Sequence, residues 1–300
     1  AAARRALAVL LGSRVAFDAP LARHLPLGVG GPADALAAPA SADELAALVA
    51  LAAEHGLPLH VLGGGFNTVV LDGGLDGVAV RTHRLRALAL DGATLRAETG
   101  VSHSQVVRLC AERGLAGLEF GAGVPGTVGG WIAMNAGVPD AEVGAVVRDV
   151  ETAGPGAARR TRTRAEMGFV YRGARGLARG EVVLAARFAL HPCEPGAVRA
   201  AIDRHLAHRR ATQPIDQPSF GSVFVNPPGE RAGRLVELAG LKGLRIGGAQ
   251  ISSVHANFIV NLGGATAADV LALMARAQEA VRERTGIALE PEVRIVGRAS

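Results

Sequence analysis

The feature of this sequence that most constrains its fold is a glycine-dense segment at residues 119–137, EFGAGVPGTVGGWIAMNAG. Three of its glycines match the G-x-G-x-x-G pattern of a Rossmann unit, but that pattern must open a helix directly after a strand. Pro125 and the glycine pair Gly129-Gly130 are expected to break any helix there in its first turns. We therefore predict a mostly irregular, backbone-lined groove for a flat or extended ligand.

A second glycine segment, GGGFN at residues 63–67, follows a predicted strand, PLHVLGGG. Three consecutive glycines let backbone N–H groups approach an anion without interference from Cβ, which favours a phosphate cradle. An ordinary flexible turn is the alternative. Neither glycine segment is followed by the Lys-Ser/Thr pair of a P-loop, so we exclude a P-loop NTPase.

The composition excludes two classes of protein. The chain has 300 residues, of which 49% are hydrophobic, so it can bury a core in two or three domains and is not disordered. It has only 1 Trp, 1 Tyr and 8 Phe, which argues against modules that stack single-stranded nucleic acid on aromatic rings. The net charge is +5, and the arginine run at 159–164 is read as a solvated loop. We expect no nucleic-acid partner.

The remaining sequence signals favour a soluble cytoplasmic protein without a metal. Cys110 and Cys193 stand far apart, and we expect both to be free buried thiols in a reducing compartment. His205 and His208 could share one face of a helix, but the surrounding arginines favour a solvated basic face over a metal site. The apolar runs, including the one near the N-terminus, are shorter than the ~20 residues that span a membrane.

Periodicity and punctuation predict an α+β protein. Helices are expected at 41–56 and 102–114, a β-hairpin at Asp91–Gly92, and a buried strand at 181–190. The C-terminal part alternates helices with short strands and ends in a helix opened by Thr266 and closed by Gly286. Composition shifts place domain boundaries near residues 80 and 192, which gives segments 1–80, 81–192 and 193–300.

Seven strings resemble a known family when they are taken together, in this order and spacing. Over about residues 20–297 they are similar to the UDP-N-acetylenolpyruvoylglucosamine reductase (MurB) family. The shorter form of that family is indicated, because the single tyrosine, Tyr171, precedes Arg172 and no other tyrosine could cap a substrate. The strings are LGGGFNTVV, GLEFGAGVPGTVGGWIAMNAG, FVYRGA, QPSFGSVFVNP, AGRLVELAGLKGLRIGGAQIS, HANFIVN and LEPEVRIVG.

The resemblance implies a flavoprotein. Its fold would be a two-subdomain FAD-binding region of the vanillyl-alcohol-oxidase (PCMH) type and a C-terminal α+β substrate-binding domain, with the last strand, about 289–297, returning toward the FAD site. FAD would be the cofactor, NADPH the co-substrate, and the protein a monomer that binds no membrane. The residues implied to bind the cofactor are Gly63, Gly64, Gly65, Phe66, Asn67, Pro125, Gly126, Thr127, Gly129, Gly130 and Asn135.

The same resemblance implies a reaction in peptidoglycan precursor synthesis. FAD N5 would pass a hydride to the enolpyruvyl group of UDP-N-acetylglucosamine enolpyruvate, giving UDP-N-acetylmuramate. Arg172 would polarise the substrate carboxylate, Ser222 would protonate the enolate carbon, and Glu292 would lie beside Arg172 and stabilise the intermediate. Tyr171, Asn226 and His255 are implied to contact substrate.

Three positions depart from the family pattern. Phe66 replaces the usual serine of the pyrophosphate loop, Val225 replaces a frequent lysine, and Ala174 replaces the serine after Tyr-Arg-x. Two alternatives therefore stay open: another FAD-dependent oxidoreductase or oxidase of the same cofactor fold, and a non-catalytic flavin-binding protein.

Overall fold

The structure is a computed structural model that describes residues 1–299. Within that range the chain forms two compact units. Unit 1 comprises Ala1–Phe17, Ala35–Gly64 and Gly77–Ala207, and unit 2 comprises Asp18–Asp34, Gly65–Asp76 and the chain from His208 onward. The three-segment partition expected from the sequence is finer than these two units and stays a prediction.

The described chain combines helices with mainly antiparallel sheets, as expected for an α+β fold. The α-helices of the described chain are α1 (Ala2–Leu11), α2 (Ala42–Glu54), α3 (His103–Arg113), α4 (Val128–Met134), α5 (Arg164–Met167), α6 (Pro195–Thr212), α7 (Ala232–Leu238) and α8 (Ala267–Thr285). The strands are β1 (Val15–Pro20), β2 (Pro32–Ala37), β3 (Leu59–Val61), β4 (Thr68–Val70), β5 (Leu75–Val80), β6 (Leu88–Asp91), β7 (Thr94–Glu98), β8 (Leu115–Ala116), β9 (Gly137–Val138), β10 (Ala141–Glu142), β11 (Val147–Ala153), β12 (Arg159–Thr163), β13 (Phe169–Val170), β14 (Gly173–Ala174), β15 (Val182–Ala189), β16 (His191–Pro192), β17 (Ser219–Ser222), β18 (Arg245–Ile246), β19 (Ala249–Ile251), β20 (Phe258–Asn261) and β21 (Arg294–Val296).

A five-stranded antiparallel sheet, in the order β12-β11-β15-β7-β6, organises most of unit 1. The predicted hairpin is confirmed, because Asp91 pairs with Thr94 across the turn. The predicted buried strand at 181–190 is β15, which supplies Phe188 to a core that also contains Trp131 and Val106. This core supports α3 and α4, and therefore the glycine-dense segment between them.

A four-stranded sheet, in the order β1-β2-β5-β3, lies beside α2. The hydroxyl of Ser41 accepts a hydrogen bond from the Glu44 N–H, so α2 begins where its N-cap predicts. Leu45, Leu48 and Val49 are buried on one face of α2, among residues that include Val78 of β5. This packing fixes the end of β3, from which the chain enters the 63–67 segment.

Unit 2 is built on an antiparallel sheet in the order β17-β20-β19-β18. Helix α8 packs against it through Val270, Leu273 and Met274, which belong to the unit's hydrophobic core. Thr266 and Asp269 form a capping box, and Gly286 ends α8 with φ +75°, as the sequence predicts. The sheet places the 219–222 strand at one of its edges.

The expectation of a break at Gly129–Gly130 is wrong, since both glycines lie inside α4. A Cβ on Gly129 would lie 2.1 Å from the Thr99 hydroxyl oxygen, so the glycine allows the helix to pack closely against β7's end. Trp131 and Ile132 of α4 are fully buried. Tertiary packing therefore outweighs the poor helix propensity of the glycines.

The two cysteines differ in exposure, although both were expected to be buried. Both are free thiols, Cys110 buried and Cys193 exposed. Burial, and secondarily the charge of Glu119, raises the pKa of the Cys110 thiol to about 12. No helix within residues 1–299 is both long and apolar enough to cross a membrane.

Candidate active site

The two glycine segments meet in unit 1. Gly63 has φ +53°, and a Cβ at this position would lie 2.9 Å from the hydroxyl oxygen of Thr127. A larger residue at position 63 would therefore collide with the second glycine segment and would also be strained at this positive φ. Two residues expected to bind the same cofactor, Gly63 and Thr127, are neighbours in the structure.

His103, which the sequence reading missed, fixes the shape of the segment before α4. It is buried, with Nδ1 3.0 Å from the Val124 carbonyl oxygen and Nε2 2.9 Å from the Thr127 carbonyl oxygen. Its ring stacks on Trp131 with a centroid separation of 3.8 Å. Gly126 allows the loop to pack closely on His103, because a Cβ at position 126 would lie 3.1 Å from the His103 ring. The sequence places His103 at the start of a capped helix but gives no signal that it contacts this loop.

These features of unit 1 fit the FAD that the sequence predicts. An anionic, extended group needs backbone that it can approach closely, and Gly63 and Gly126 leave that backbone without side chains. His103 and the bridge between Ser102 and Thr127 hold the loop in one conformation. The glycine cradle is therefore shaped in advance, which reduces the entropy lost on binding.

The second half of the 63–67 segment belongs to unit 2 and is bonded to the segment that carries Glu292. The Asn67 side-chain amide donates to the Glu292 carbonyl oxygen at 3.2 Å, and the Arg294 N–H donates to the Asn67 carbonyl oxygen at 3.1 Å. Immediately afterwards, β4 pairs in parallel with β21. The last strand of the protein therefore lies beside the strand that follows the glycine loop.

Ser222 and Glu292 lie on neighbouring backbone segments of unit 2, although 70 positions separate them in sequence. Ser222 ends β17 and pairs with Phe258 of β20. The next residue, Val223, accepts a hydrogen bond from the Glu292 N–H at 2.8 Å, and Phe224 forms a bridge with Pro291. A Cβ on Gly221 would lie 3.7 Å from the Phe66 carbonyl oxygen. Unit 2 therefore gathers Phe66, Ser222 and Glu292.

A buried asparagine, Asn257, continues the backbone pairing beyond Ser222. Its side-chain oxygen accepts from the Phe224 N–H at 2.9 Å, and its side-chain nitrogen donates to the Phe224 carbonyl oxygen at 2.8 Å. The Asn257 carbonyl oxygen accepts from the Val223 N–H at 2.9 Å. The sequence reading missed this role, because no periodicity distinguishes a buried asparagine that pairs like a peptide from one that binds a ligand.

Asn226 and His255, expected to contact substrate, each have one polar atom bonded within unit 2. The Asn226 side-chain oxygen accepts from the Ala232 N–H at 3.0 Å, at the start of α7. His255 Nδ1 accepts from the Asn257 N–H at 3.1 Å, so this nitrogen carries no proton. Burial, and then the charge of Lys242, lowers the His255 pKa. The contacts of both residues with substrate stay predictions.

In unit 1, Tyr171 and Arg172 form the two-residue turn between β13 and β14, where Val170 pairs with Gly173. Arg172 has φ +57°, which is uncommon for a residue with a side chain. Its guanidinium carbon lies 4.7 Å from the centre of the Tyr171 ring, and Tyr171 is 49% exposed. The expected neighbourhood of Arg172 and Glu292 stays a prediction.

Asn135, expected to line the cofactor groove, is buried at the end of α4 with φ +41°. Its side-chain amide is hydrogen-bonded to the protein, to Glu142, Gly144 and Val170. The side chain is therefore engaged by the protein, and the contact of Asn135 with a cofactor stays a prediction.

Comparison with known proteins identifies two domains along the chain. Residues 33–153 match the FAD binding domain model, and residues 213–296 match the C-terminal domain of UDP-N-acetylenolpyruvoylglucosamine reductase. The reductase of Geobacter metallireducens is 50% identical over 291 residues, covering 96% of this chain and 95% of that protein. The reductase of Rubrobacter xylanophilus is 47% identical over 285 residues, covering 94% and 95%.

Solved structures give the same assignment. The crystal structure of UDP-N-acetylenolpyruvylglucosamine reductase (MurB) from Thermus caldophilus matches with a TM-score of 0.81 and 34% identity, over 94% of this chain and 98% of that one. Phl p 4.0202, a glucose dehydrogenase, matches with a TM-score of 0.52 and 17% identity over 65% of this chain and 45% of that one, and shares only the fold. The chain therefore belongs to the UDP-N-acetylenolpyruvoylglucosamine reductase family.

Proposed function

We propose that this protein is an FAD-dependent enzyme that reduces UDP-N-acetylglucosamine enolpyruvate to UDP-N-acetylmuramate with NADPH. The reaction adds one hydride and one proton across the enolpyruvyl double bond and converts NADPH to NADP⁺, so electrons and protons balance. It supplies a precursor of peptidoglycan. When bound, FAD supplies the chemistry that moves the hydride from NADPH to the substrate.

The observation that carries this proposal is the adjacency of Ser222 and Glu292 in unit 2. The Glu292 N–H donates to the carbonyl oxygen of Val223, the residue after Ser222. Asn67, from the end of the glycine loop, is bonded to the same Glu292 segment. Backbone and side-chain hydrogen bonds thus connect the segments of a proton donor and a carboxylate with the end of the predicted pyrophosphate loop. A proton donor and a carboxylate held on neighbouring backbone segments support a reaction in which one group donates a proton and the other stabilises charge.

Each of the three catalytic residues has one role in the proposal. Arg172 pairs with the substrate carboxylate and stabilises the negative charge that develops beside it when hydride is added. Ser222 delivers its hydroxyl proton to the enolate carbon and recovers a proton from solvent; a hydroxyl is a weak acid, but the carbanion-like carbon is a strong base. The Glu292 carboxylate orients Arg172 and stabilises the intermediate.

The remaining predicted site residues would bind substrate. Asn226 would contact the diphosphate-sugar portion, His255 would contact the substrate from the same domain, and Tyr171 would contact the substrate beside Arg172. We infer a cytoplasmic monomer that binds small molecules and no nucleic acid. The two unpaired thiols, Cys110 and Cys193, agree with a reducing compartment.

The test is an anaerobic absorbance titration of the purified protein after reconstitution with FAD. NADPH should bleach the flavin band near ~450 nm, and a stoichiometric amount of UDP-N-acetylglucosamine enolpyruvate should restore it while UDP-N-acetylmuramate is formed. UDP-N-acetylglucosamine, which lacks the enolpyruvyl group, is the matched control and should leave the band bleached.

Two results would overturn the proposal. If the band bleaches but only oxygen restores it, the protein is an oxidase of the same cofactor fold. If FAD does not bind at all, the chain has kept the family's fold without its chemistry.

A further inference from the structure

The side chain of Asn135 makes three hydrogen bonds within unit 1. Its nitrogen donates to a carboxylate oxygen of Glu142 at 2.7 Å and to the Val170 carbonyl oxygen at 2.9 Å. Its oxygen accepts from the Gly144 N–H at 2.9 Å. Asn135 is 2% exposed and Gly144 is buried, so the Gly144 N–H would be left without a partner if the side chain were removed and nothing replaced it. We call Asn135, Glu142, Gly144 and Val170 the Asn135 cluster.

The cluster acts on the turn that carries Arg172. Val170 is the last residue before Tyr171 and Arg172, and its carbonyl oxygen is the group that Asn135 holds. The hairpin has only two residue pairs, and a hairpin of that size is not stable by itself. The φ of +57° at Arg172 adds a backbone cost, because a residue with a Cβ is strained in the left-handed region. The turn therefore needs support from outside the hairpin.

The packing around the cluster leaves no spare room for the hairpin to shift. A Cβ on Gly144 would lie 2.7 Å from Cγ of Phe169 and 2.8 Å from the Asn135 side-chain oxygen. Glycine at position 144 thus lets the first strand of the hairpin approach Asn135 directly. Gly144 sets the distance between the first strand of the hairpin and Asn135, and the Asn135 amide sets the orientation of the Val170 carbonyl.

The cluster also connects this turn to the cofactor segment. Asn135 ends α4, whose first turn contains Gly129 and Gly130. Asn135 follows these glycines by only five or six residues, so about 8–9 Å of helix joins them to Asn135. A shift of α4 against a bound cofactor would therefore also move Val170 and the Arg172 turn.

We propose that Asn135 is a positioning residue for Arg172, and that its side chain aligns the Arg172 turn with the cofactor segment instead of binding the cofactor. This rests on the catalytic role of Arg172 in the proposed function. It predicts that loss of the Asn135 side chain slows the step that needs Arg172 and spares the step that does not.

The test compares the two half-reactions of Asn135→Gly with those of the parent protein in rapid-mixing absorbance experiments. Glycine suits the φ of +41° at position 135, so the variant loses the hydrogen bonds without added backbone strain. Flavin reduction by NADPH should stay within about 2-fold of the parent, while reoxidation by the enolpyruvyl substrate should slow about 10-fold or more. In an Arg172→Lys background, Asn135→Gly should add little further slowing, because residues that act as a unit are non-additive.

A second pair of variants provides a matched control. Glu142→Ala and Asp140→Ala each remove one carboxylate from the hairpin formed by β9 and β10. Only Glu142 bonds to Asn135, whereas Asp140 is exposed. Glu142→Ala should slow reoxidation in the same direction as Asn135→Gly, and Asp140→Ala should not. This pair keeps the test valid if Asn135→Gly folds poorly.

Amide hydrogen exchange gives a readout that does not depend on activity. Exchange at residues 169–174 should accelerate about 10-fold in Asn135→Gly and stay unchanged in β7 and β15. Unchanged exchange at 169–174, or equal slowing of both half-reactions, would overturn the inference. If Arg172→Lys alone leaves reoxidation intact while exchange still accelerates, the proposed role of Arg172 fails and the structural link from Asn135 to the turn stands.

Discussion

The turn that carries Arg172 in unit 1 and the strand that carries Ser222 in unit 2 hold their predicted catalytic residues in opposite ways. Arg172 lies at φ +57° in a hairpin of two residue pairs. Ser222 ends a strand of a four-stranded sheet that packs against a large core. Near each of them, however, a buried asparagine holds a backbone carbonyl. Asn135 bonds to the Val170 carbonyl before Arg172, and Asn257 bonds to the Phe224 carbonyl after Ser222. A buried side-chain amide can therefore position a reactive residue on either kind of backbone.

The largest expected effect separates the chemical roles of the two regions. Ser222→Ala should slow flavin reoxidation by the enolpyruvyl substrate by about 10²–10⁴-fold, because a positioned proton donor contributes that much. Flavin reduction by NADPH should be unaffected, since that step uses no proton from Ser222. Rapid-mixing absorbance measures both rates. Ser219→Ala, in the same strand, is the control; equal slowing in both variants would show that the strand and not the hydroxyl matters.

The second prediction concerns stability and compares the two asparagines. Asn257→Ala leaves the N–H and carbonyl groups of the buried Phe224 without their partners, which should lower the free energy of unfolding by about 2–5 kcal/mol. Asn135→Gly should cost less, because glycine relieves the positive φ at that position. Denaturant titrations give both values, with Trp131 fluorescence reporting unit 1. A smaller cost for Asn257→Ala than for Asn135→Gly would reverse the comparison.

The sequence predicts several helix ends and one hairpin elsewhere in the molecule, but it predicts neither the strand of Ser222, whose segment reads as a loop, nor the hairpin of Arg172. The hairpin at Asp91–Gly92 and the ends of α2, α3 and α8 follow from local rules of turns and caps, and the structure confirms them. Local rules fail where tertiary packing decides, as in α4, which forms despite two glycines. Comparison with known proteins confirms the family, whereas the individual site residues stay predictions.

The contacts of His103, Asn135 and Asn257 could not be predicted, for a common physical reason. Each side chain bonds to backbone groups that lie 9 to 35 positions away in sequence. A motif shows that an asparagine or histidine is present, but a buried polar side chain looks the same in sequence whether it binds a ligand or a peptide group. Only the fold distinguishes the two cases, and here it favours peptide groups.

The third prediction applies one substitution to both regions and expects opposite signs. Arg172→Gly should raise the free energy of unfolding by about 1 kcal/mol, because glycine adopts φ +57° without strain. Ser222→Gly should lower it by about 0.5–1 kcal/mol, because glycine loses more entropy in a strand. Both variants should lose activity. Denaturant titration checks the signs, and a stability loss in Arg172→Gly would mean that contacts of the side chain outweigh the strain.

The smallest effect is a pH dependence confined to unit 2. Burial lowers the pKa of His255, whose Nδ1 accepts the Asn257 N–H, and Lys242 lowers it further while Glu237 opposes the shift. The unfolded chain therefore binds a proton at His255 more readily than the folded chain. Stability is retained above the ordinary histidine pKa of about 6.5 and is lost as the pH falls below it. His255→Gln should reduce the difference in unfolding free energy between about pH 8 and pH 5.5. An unchanged difference would assign that pH dependence to groups other than His255.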